Sequence, residues 1–317
     1  MTTIVDKALS LWGMAGADVR LIAERENRVF CVDHAGSSYA LRLHRPGYCS
    51  EAELRSELLW MAAADAGGIA VPGPVAASDG ALLHVIDGVA VDMLDWLAGA
   101  PVGKTGEPLA HADPAGLFRS IGAAMARLHQ VSDAWPLPDG FTRRRWDRAG
   151  LLGEAPVWDR FWDNPTLDAG TRDLFRRFRD TANAELAALE GTLDFGLIHA
   201  DLVRENVMID AGRVQLIDFD DSGFGFRLFD LATTLLRNRT EPDYPALKAA
   251  LLDGYASVRA IDIAPLDLFL ALRATTYVGW IISRMEEPGA VARNARFIAT
   301  ARNLVDAYLG GTSHEPI

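Results

Sequence analysis

The stretch LIHADLVRENVMID, Leu197 to Asp210, and its continuation VQLIDFDDSG, Val214 to Gly223, decide how this chain is read. Each couples an apolar, strand-forming run to acids at the point where the run stops. A polar side chain placed there is held by a rigid element. In the first stretch His199, Asp201 and Asn206 stand at the spacing H-x-D-x-x-x-x-N, and in the second Asp218, Phe219 and Asp220 follow across a hairpin-sized connection. Acids after strands are also common turn formers, and that role is the alternative for each of them.

This set of groups suits one chemistry. Phosphoryl transfer needs a carboxylate to orient an attacking hydroxyl and accept its proton, and hard oxygen ligands to hold Mg²⁺ on nucleotide phosphates. Asp201 fits the first task. The amide oxygen of Asn206 and the carboxylate of Asp218 fit the second.

Downstream, DFDDSGFGFRLFDLATTLL passes from Asp218 to Asp230 within a dozen positions and then into an apolar helix, which leaves no room for a long intervening segment. Asp230 stands at the predicted helix start, where an acid reads as a cap. Upstream, RVFCVD and SSYALRLH are β-rich runs separated by the turn signal HAG. Residues 51–66 carry Leu54, Leu58, Met61 and Ala62 at helical spacing, and Asp87-Gly88 marks a second hairpin. Beyond Gly99 helical stripes dominate: Leu117, Ile121, Met125 and Leu128, then Leu174, Phe178, Leu186 and Leu189. The segment from Ser132 to Pro165 is rich in Pro, Gly, Trp and Arg without a clear period, and reads as an ordered cover. The expected fold class is α+β: residues 1–96 form a small antiparallel sheet with one helix, and residues 97–317 form a mostly helical region.

The 317 residues, half of them hydrophobic, are enough for two lobes with a sizeable core. Lys and Arg number 31 against 43 Asp and Glu, for a net charge of −12. That balance argues against nucleic acid as the principal partner. Cys31 and Cys49 read as reduced thiols of a cytoplasmic protein, and Asp6 and Lys7 interrupt the run that an export signal would need. The apolar stretch LFLALRATTYVGWII is broken by Arg273 and predicts a buried helix, with no membrane span.

HADLVREN also resembles the catalytic loop of protein kinases, and IDFD occupies the place of their D-F-G. With Ala200 after the histidine and Asp220 in place of glycine, the chain looks most like the aminoglycoside phosphotransferase, choline kinase and homoserine kinase-like superfamily, over about Ala17 to Tyr308. That resemblance implies a bilobal protein-kinase-like fold. It implies an ATP- and Mg²⁺-dependent kinase acting on a hydroxyl of a small molecule: an amino alcohol, a hydroxy amino acid, an aminoglycoside or a sugar-like alcohol. Residues 1–96 would be the nucleotide-binding lobe and 97–317 the catalytic and substrate-binding lobe. Two alternatives stay open, a protein serine/threonine kinase resembling a bacterial stress-response kinase and a weakly active nucleotide-binding pseudokinase. Neither the particular acceptor, nor ATP against GTP, nor the oligomeric state follows from the sequence.

The same resemblance assigns further residues. SYALRLH matches the V-A-I-K strand, with Ala40 against adenine and Arg42 where lysine would hold phosphates; a solvated strand cation is the other reading of Arg42. Glu57 is its expected ion-pair partner, with Glu53 one turn earlier as competitor. The phosphate-covering loop falls in IAERENRVFC, which has no glycine, and Asn27 is its candidate contact. Asp95 and Leu97 would meet adenine through their backbone, while Trp96 divides evenly between hinge and core. Asp230 would brace the catalytic loop. Asp220, Tyr277, Trp280, Ser283 and Arg284, with the Trp and Arg residues of the Ser132 to Pro165 segment, are candidates for the substrate pocket, although an apolar stripe like that of Tyr277, Trp280 and Arg284 is more often core.

Overall fold

The computed structural model describes residues 3–24 and 27–312. In chain order the elements are α1 (Ile4–Leu11), β1 (Asp18–Glu24), β2 (Arg28–His34), β3 (Ser37–Leu43), α2 (Glu51–Ala66), β4 (Leu83–Ile86), β5 (Val89–Asp95), β6 (Ala100–Pro101), α3 (Pro114–Ala134), β7 (Arg145–Trp146), α4 (Arg148–Leu152), α5 (Ala169–Leu189), β8 (Phe195–Ile198), β9 (Val207–Asp210), β10 (Arg213–Leu216), β11 (Gly223–Phe226), α6 (Arg227–Leu236), α7 (Tyr244–Ala256), α8 (Leu266–Trp280) and α9 (Ala290–Thr312). They form two compact units, each discontinuous in sequence. The first comprises residues 1–102, 130–143 and 206–220, and the second residues 103–129, 144–205 and 221–317.

The first unit is built on a five-stranded antiparallel sheet in the order β1-β2-β3-β5-β4. Its two tightest hairpins follow the turn chemistry of the sequence. Ala35-Gly36 joins β2 to β3 and Asp87-Gly88 joins β4 to β5, all four residues having positive φ. That conformation gives a two-residue turn the twist of its flanking strands, and glycine takes it at no steric cost. The expected helix is α2, opened by a capping box in which the Ser50 hydroxyl accepts from Glu53 N–H and the Glu53 carboxylate accepts from Ser50 N–H. A short helix, α1, lies outside the sequence expectation. Its Ala8 and Leu9 join Trp12, Val32, Leu41, Leu43, Val91 and Met93 in the core of the sheet. A second sheet, β10-β9-β6, completes this unit.

The second unit is mostly helical, with the small sheet β7-β11-β8. The helical stretch Leu266–Arg284, which is α8 with the turn after it, is long and apolar enough by composition to cross a membrane, but 78% of it is buried inside the protein, which marks a core helix. The segment expected as a cover, Ser132 to Pro165, carries short elements and buried tryptophans among exposed residues such as Leu137, Asp139 and Thr142. Ser132 belongs to α3, β7 and α4 fall within the segment, and Trp146, Trp158 and Trp162 are buried. Its lack of period reflects short elements, β7 anchored by Trp146 and α4 by Leu151 and Leu152.

Candidate active site

In the second unit β8 delivers His199, Ala200 and Asp201 into a tight backbone turn. Ala200 has a φ of +65°, a left-handed conformation that an alanine rarely adopts, so something must hold it. Asp230 does so: its carboxylate accepts from His199 N–H at 2.9 Å and from Ala200 N–H at 2.6 Å. Asp230 lies within α6 and caps no helix, so its role is the bracing one. Behind it, His129 Nε2 lies 2.9 Å from the Asp230 carboxylate and His129 Nδ1 lies 2.8 Å from the Tyr255 hydroxyl. Burial, with the Arg227 charge adding to it, pushes His129 down to about 4, so the ring is neutral at pH 7. An ionised carboxylate only accepts, so Nε2 carries the proton and Nδ1 accepts from Tyr255.

Asp201 itself keeps 24% of its side chain exposed and accepts from Arg273 Nη2 at 2.8 Å. Burial pushes its carboxyl up to about 6 against the Arg273 and Arg237 charges, helped by Asp221 and Glu205. A carboxylate tuned to that range is ionised at pH 7 and still basic enough to take a hydroxyl proton in a transition state. Arg273 is wholly buried, its guanidinium 4.3 Å from the Tyr277 ring centre, 4.7 Å from that of Trp158 and 5.1 Å from that of Phe229. Three ring faces fix its plane, and through it the orientation of Asp201.

The first unit holds the other cluster. Arg42 on β3 grips Asp92 of the neighbouring strand β5 with Nε and Nη2, both at 2.8 Å, and Glu57 of α2 with Nη1 at 2.8 Å; Asp220 lies 3.5 Å from Nη1. Glu57, and not Glu53, is thus the helix partner; the Glu53 carboxylate serves the cap of α2. Although burial alone would raise Asp92, Arg42 and His44 hold it down to about 2. Glu57 also receives Arg143 Nη1 at 3.2 Å, and the Arg143 fork goes on to the carbonyls of Phe219 and Asp220. Asp220 accepts from Asn27 as well. In this structure Asn27 and Asp220 therefore hold each other beside Arg42. Arg25 and Glu26, in the glycine-free stretch, lie outside the described residues.

The β9–β10 hairpin ends with the Asn206 carbonyl accepting from Ile217 N–H at 3.0 Å, next to Asp218. An amide-bearing and a carboxylate-bearing residue are thereby brought to the open end of one hairpin. Asp218 is exposed with a φ of +67°, and Phe219 beside it is buried edge-on to Trp60 with ring centres 5.1 Å apart. The buried ring anchors the turn that presents Asp218.

The remaining predicted residues spread out. Ala40 lies mid-sheet, paired with Cys31 and Leu94. Asp95 ends β5, Trp96 is 39% exposed, which removes the core reading, and Leu97 is half-buried. Tyr277 joins Asp201 through Arg273, whereas Arg284 is buried against Trp280, its guanidinium 4.2 Å from that ring centre. Sequence reasoning missed Asp92, Arg143, Arg237 and Arg273 as members of the two clusters. One signal was available: a lone arginine in a buried apolar helix must find a partner, and Arg273 finds Asp201.

A sheet-bearing unit and a helical unit, with a braced H-x-D loop and an acid-ended hairpin, define a kinase-like phosphotransferase. Residues 18–269 match the sequence profile of the Phosphotransferase enzyme family, and the chain belongs to that family. It is 31% identical to a homoserine kinase of Acidiphilium cryptum over 68% of this chain and 63% of that kinase. It is 29% identical to a microcompartment-associated aminopropanol kinase of known structure, with a TM-score of 0.84 over 98% of both chains. An amicoumacin kinase, 22% identical with a TM-score of 0.77 over 95% of this chain and 92% of that one, shares the fold.

Proposed function

We propose that this chain transfers the γ-phosphoryl group of ATP, with Mg²⁺, to a hydroxyl of a small metabolite, and that Asp201 is the base. The observation that carries this reading is the Asp201 carboxylate, oriented by Arg273 and pushed up to about 6 on a loop braced by Asp230. Asp201 accepts the hydroxyl proton as the acceptor oxygen attacks phosphorus, and the bond to the ADP oxygen breaks. Asn206 and Asp218 fit a divalent cation in donor type, an amide oxygen and a carboxylate at one hairpin end. Among the described residues no group of three or more His, Cys, Asp or Glu converges, so a cation held there takes the rest of its shell from phosphate and water. Bound Mg²⁺ supplies neutralisation of phosphate charge. Arg42, Glu57, Asn27, Ala40, Asp95 and Leu97 form the nucleotide side, with Arg42 held by the carboxylates of Asp92, Glu57 and Asp220.

Two relatives support a small hydroxylated acceptor, since one is a homoserine kinase and the other an aminopropanol kinase. From Asp221 the chain enters β11 and then α6 directly, which leaves no peptide-seating segment of the protein-kinase kind. Asp201→Asn is expected to lower acceptor-dependent ADP release by about 100-fold or more while ATP still binds. Near-wild-type turnover in that variant would remove Asp201 from the role.

A further inference from the structure

Arg237 directly follows α6. Its Nε donates to the Tyr277 hydroxyl at 3.0 Å, and its guanidinium lies 3.9 Å from the Tyr277 ring centre and 5.8 Å from that of Phe297. Among the described residues its two terminal nitrogens meet no carboxylate and no other hydrogen-bond acceptor. The side chain is half-buried. A guanidinium is a flat fork suited to carboxylate or phosphate, and here ring faces and one hydrogen bond fix its plane while leaving the fork's outer nitrogens for a ligand.

The surroundings hold more donors than acceptors. The Tyr277 hydroxyl receives both Arg237 Nε and Arg273 Nη2, the latter at 2.7 Å, and Arg273 Nη2 also reaches Asp201 Oδ1 at 2.8 Å. Two positive charges thus converge on one phenol, and Asp201 pairs with only one of them. Arg273 Nε and Nη1 and Trp158 Nε1 are buried without an acceptor, beside the same rings. An anion bound at Arg237 balances this surplus, and Arg237 itself lies three hydrogen bonds from the proposed base.

We propose that Arg237 binds a carboxylate of the acceptor, so that the acceptor is a short hydroxy acid or hydroxy amino acid with its hydroxyl at Asp201. This rests on the phosphotransfer reading and narrows it. Arg237 is a specificity residue here, and Arg273 and Tyr277 position it and Asp201 together.

The test uses pairs of compounds that differ only by the carboxylate: L-homoserine and 3-aminopropan-1-ol, L-serine and ethanolamine, L-threonine and 1-aminopropan-2-ol. The wild type is expected to favour the acid of at least one pair by about tenfold to a hundredfold in kcat/KM, the worth of a charge-assisted hydrogen bond. Arg237→Gln should collapse that ratio toward one through KM, and Arg237→Lys, which keeps the charge, should restore part of it. Preference for the amino alcohol in every pair, or a ratio unchanged in Arg237→Gln, overturns the proposal. An equal loss for both members through a higher KM for ATP overturns it too, since Arg237 would then serve nucleotide phosphate. Calorimetry in the presence of Mg²⁺ and AMP-PNP reads the same ratio without turnover. Absence of phosphate transfer to any compound would therefore count against the phosphotransferase reading, while the binding ratio still decides Arg237.

Discussion

At the scale of single residues, the proposed role of Asp201 makes the Asp201–Arg273 pair the point at which pH should enter the reaction. A base held at about 6 is protonated below that value, so kcat/KM should fall roughly tenfold per pH unit on the acidic side and level off above it. The guanidinium of Arg273 favours the ionised form, so removing it raises the carboxyl further. Arg273→Met, which keeps much of the buried volume under Trp158, Phe229 and Tyr277, should move the acidic limb of the pH–rate profile to higher pH. A limb that stays in place would mean that Arg273 does not tune Asp201. These two residues also show where reading the sequence stops. The turn that carries Asp201 and the hairpin end that carries Asn206 and Asp218 were legible because a turn fixes neighbours along the chain, so local spacing records them. Arg273 reaches Asp201 across 72 positions, a meeting made by the packing of α8 that no local pattern encodes.

At the scale of elements, the pairing of β3 with β5 places Arg42 directly opposite Asp92. Arg42, Glu57 and Asp92 are all buried, so the group stands or falls together. Asp92→Ala leaves a buried guanidinium with half its partners and is expected to destabilise the protein by about 3–5 kcal/mol, read as a lower urea midpoint. A loss below about 1 kcal/mol would show that Glu57 and Asp220 together satisfy Arg42. The match of SYALRLH to a known strand pointed to Arg42, and the following helix pointed to Glu57. Asp92 escaped because strand register between β3 and β5, and not proximity in sequence, puts it there. The hairpin turns were legible for the opposite reason: Ala35-Gly36 and Asp87-Gly88 carry their geometry in the residues themselves. The elements within the Ser132 to Pro165 segment escaped because β7 and α4 are too short to show a period.

For the whole molecule, the brace behind the His199–Asp201 turn links stability to pH. His129 falls from an ordinary 6.5 to about 4 on folding, and Asp230 is also lowered, since His129 and the His199 N–H outweigh the effect of burial on it. Groups whose folded value is depressed give stability that is complete above the unfolded value and is lost as pH falls toward the folded one. Between about pH 6.5 and 4 the His129 contribution should shrink by about 3 kcal/mol. Urea melts across this range should show it, with a shallower slope in His129→Gln. An unchanged slope would contradict a neutral, buried His129. Below about pH 6, protonation of Asp201 and weakening of this brace would lower activity together, and the Arg273→Met profile separates the two because it moves only the first.

The central claim is that the braced Asp201 loop performs phosphoryl transfer to a small hydroxylated molecule. Its most direct measurement is acceptor-dependent ADP release with Mg²⁺ and ATP over a panel of hydroxylated amines, amino acids and sugars, run on the wild type and on Asp201→Asn. At least one acceptor should stimulate ADP release and gain the phosphate, with that stimulation lost by about 100-fold or more in Asp201→Asn although ATP binding persists. Stimulation of equal size in both proteins would contradict the account.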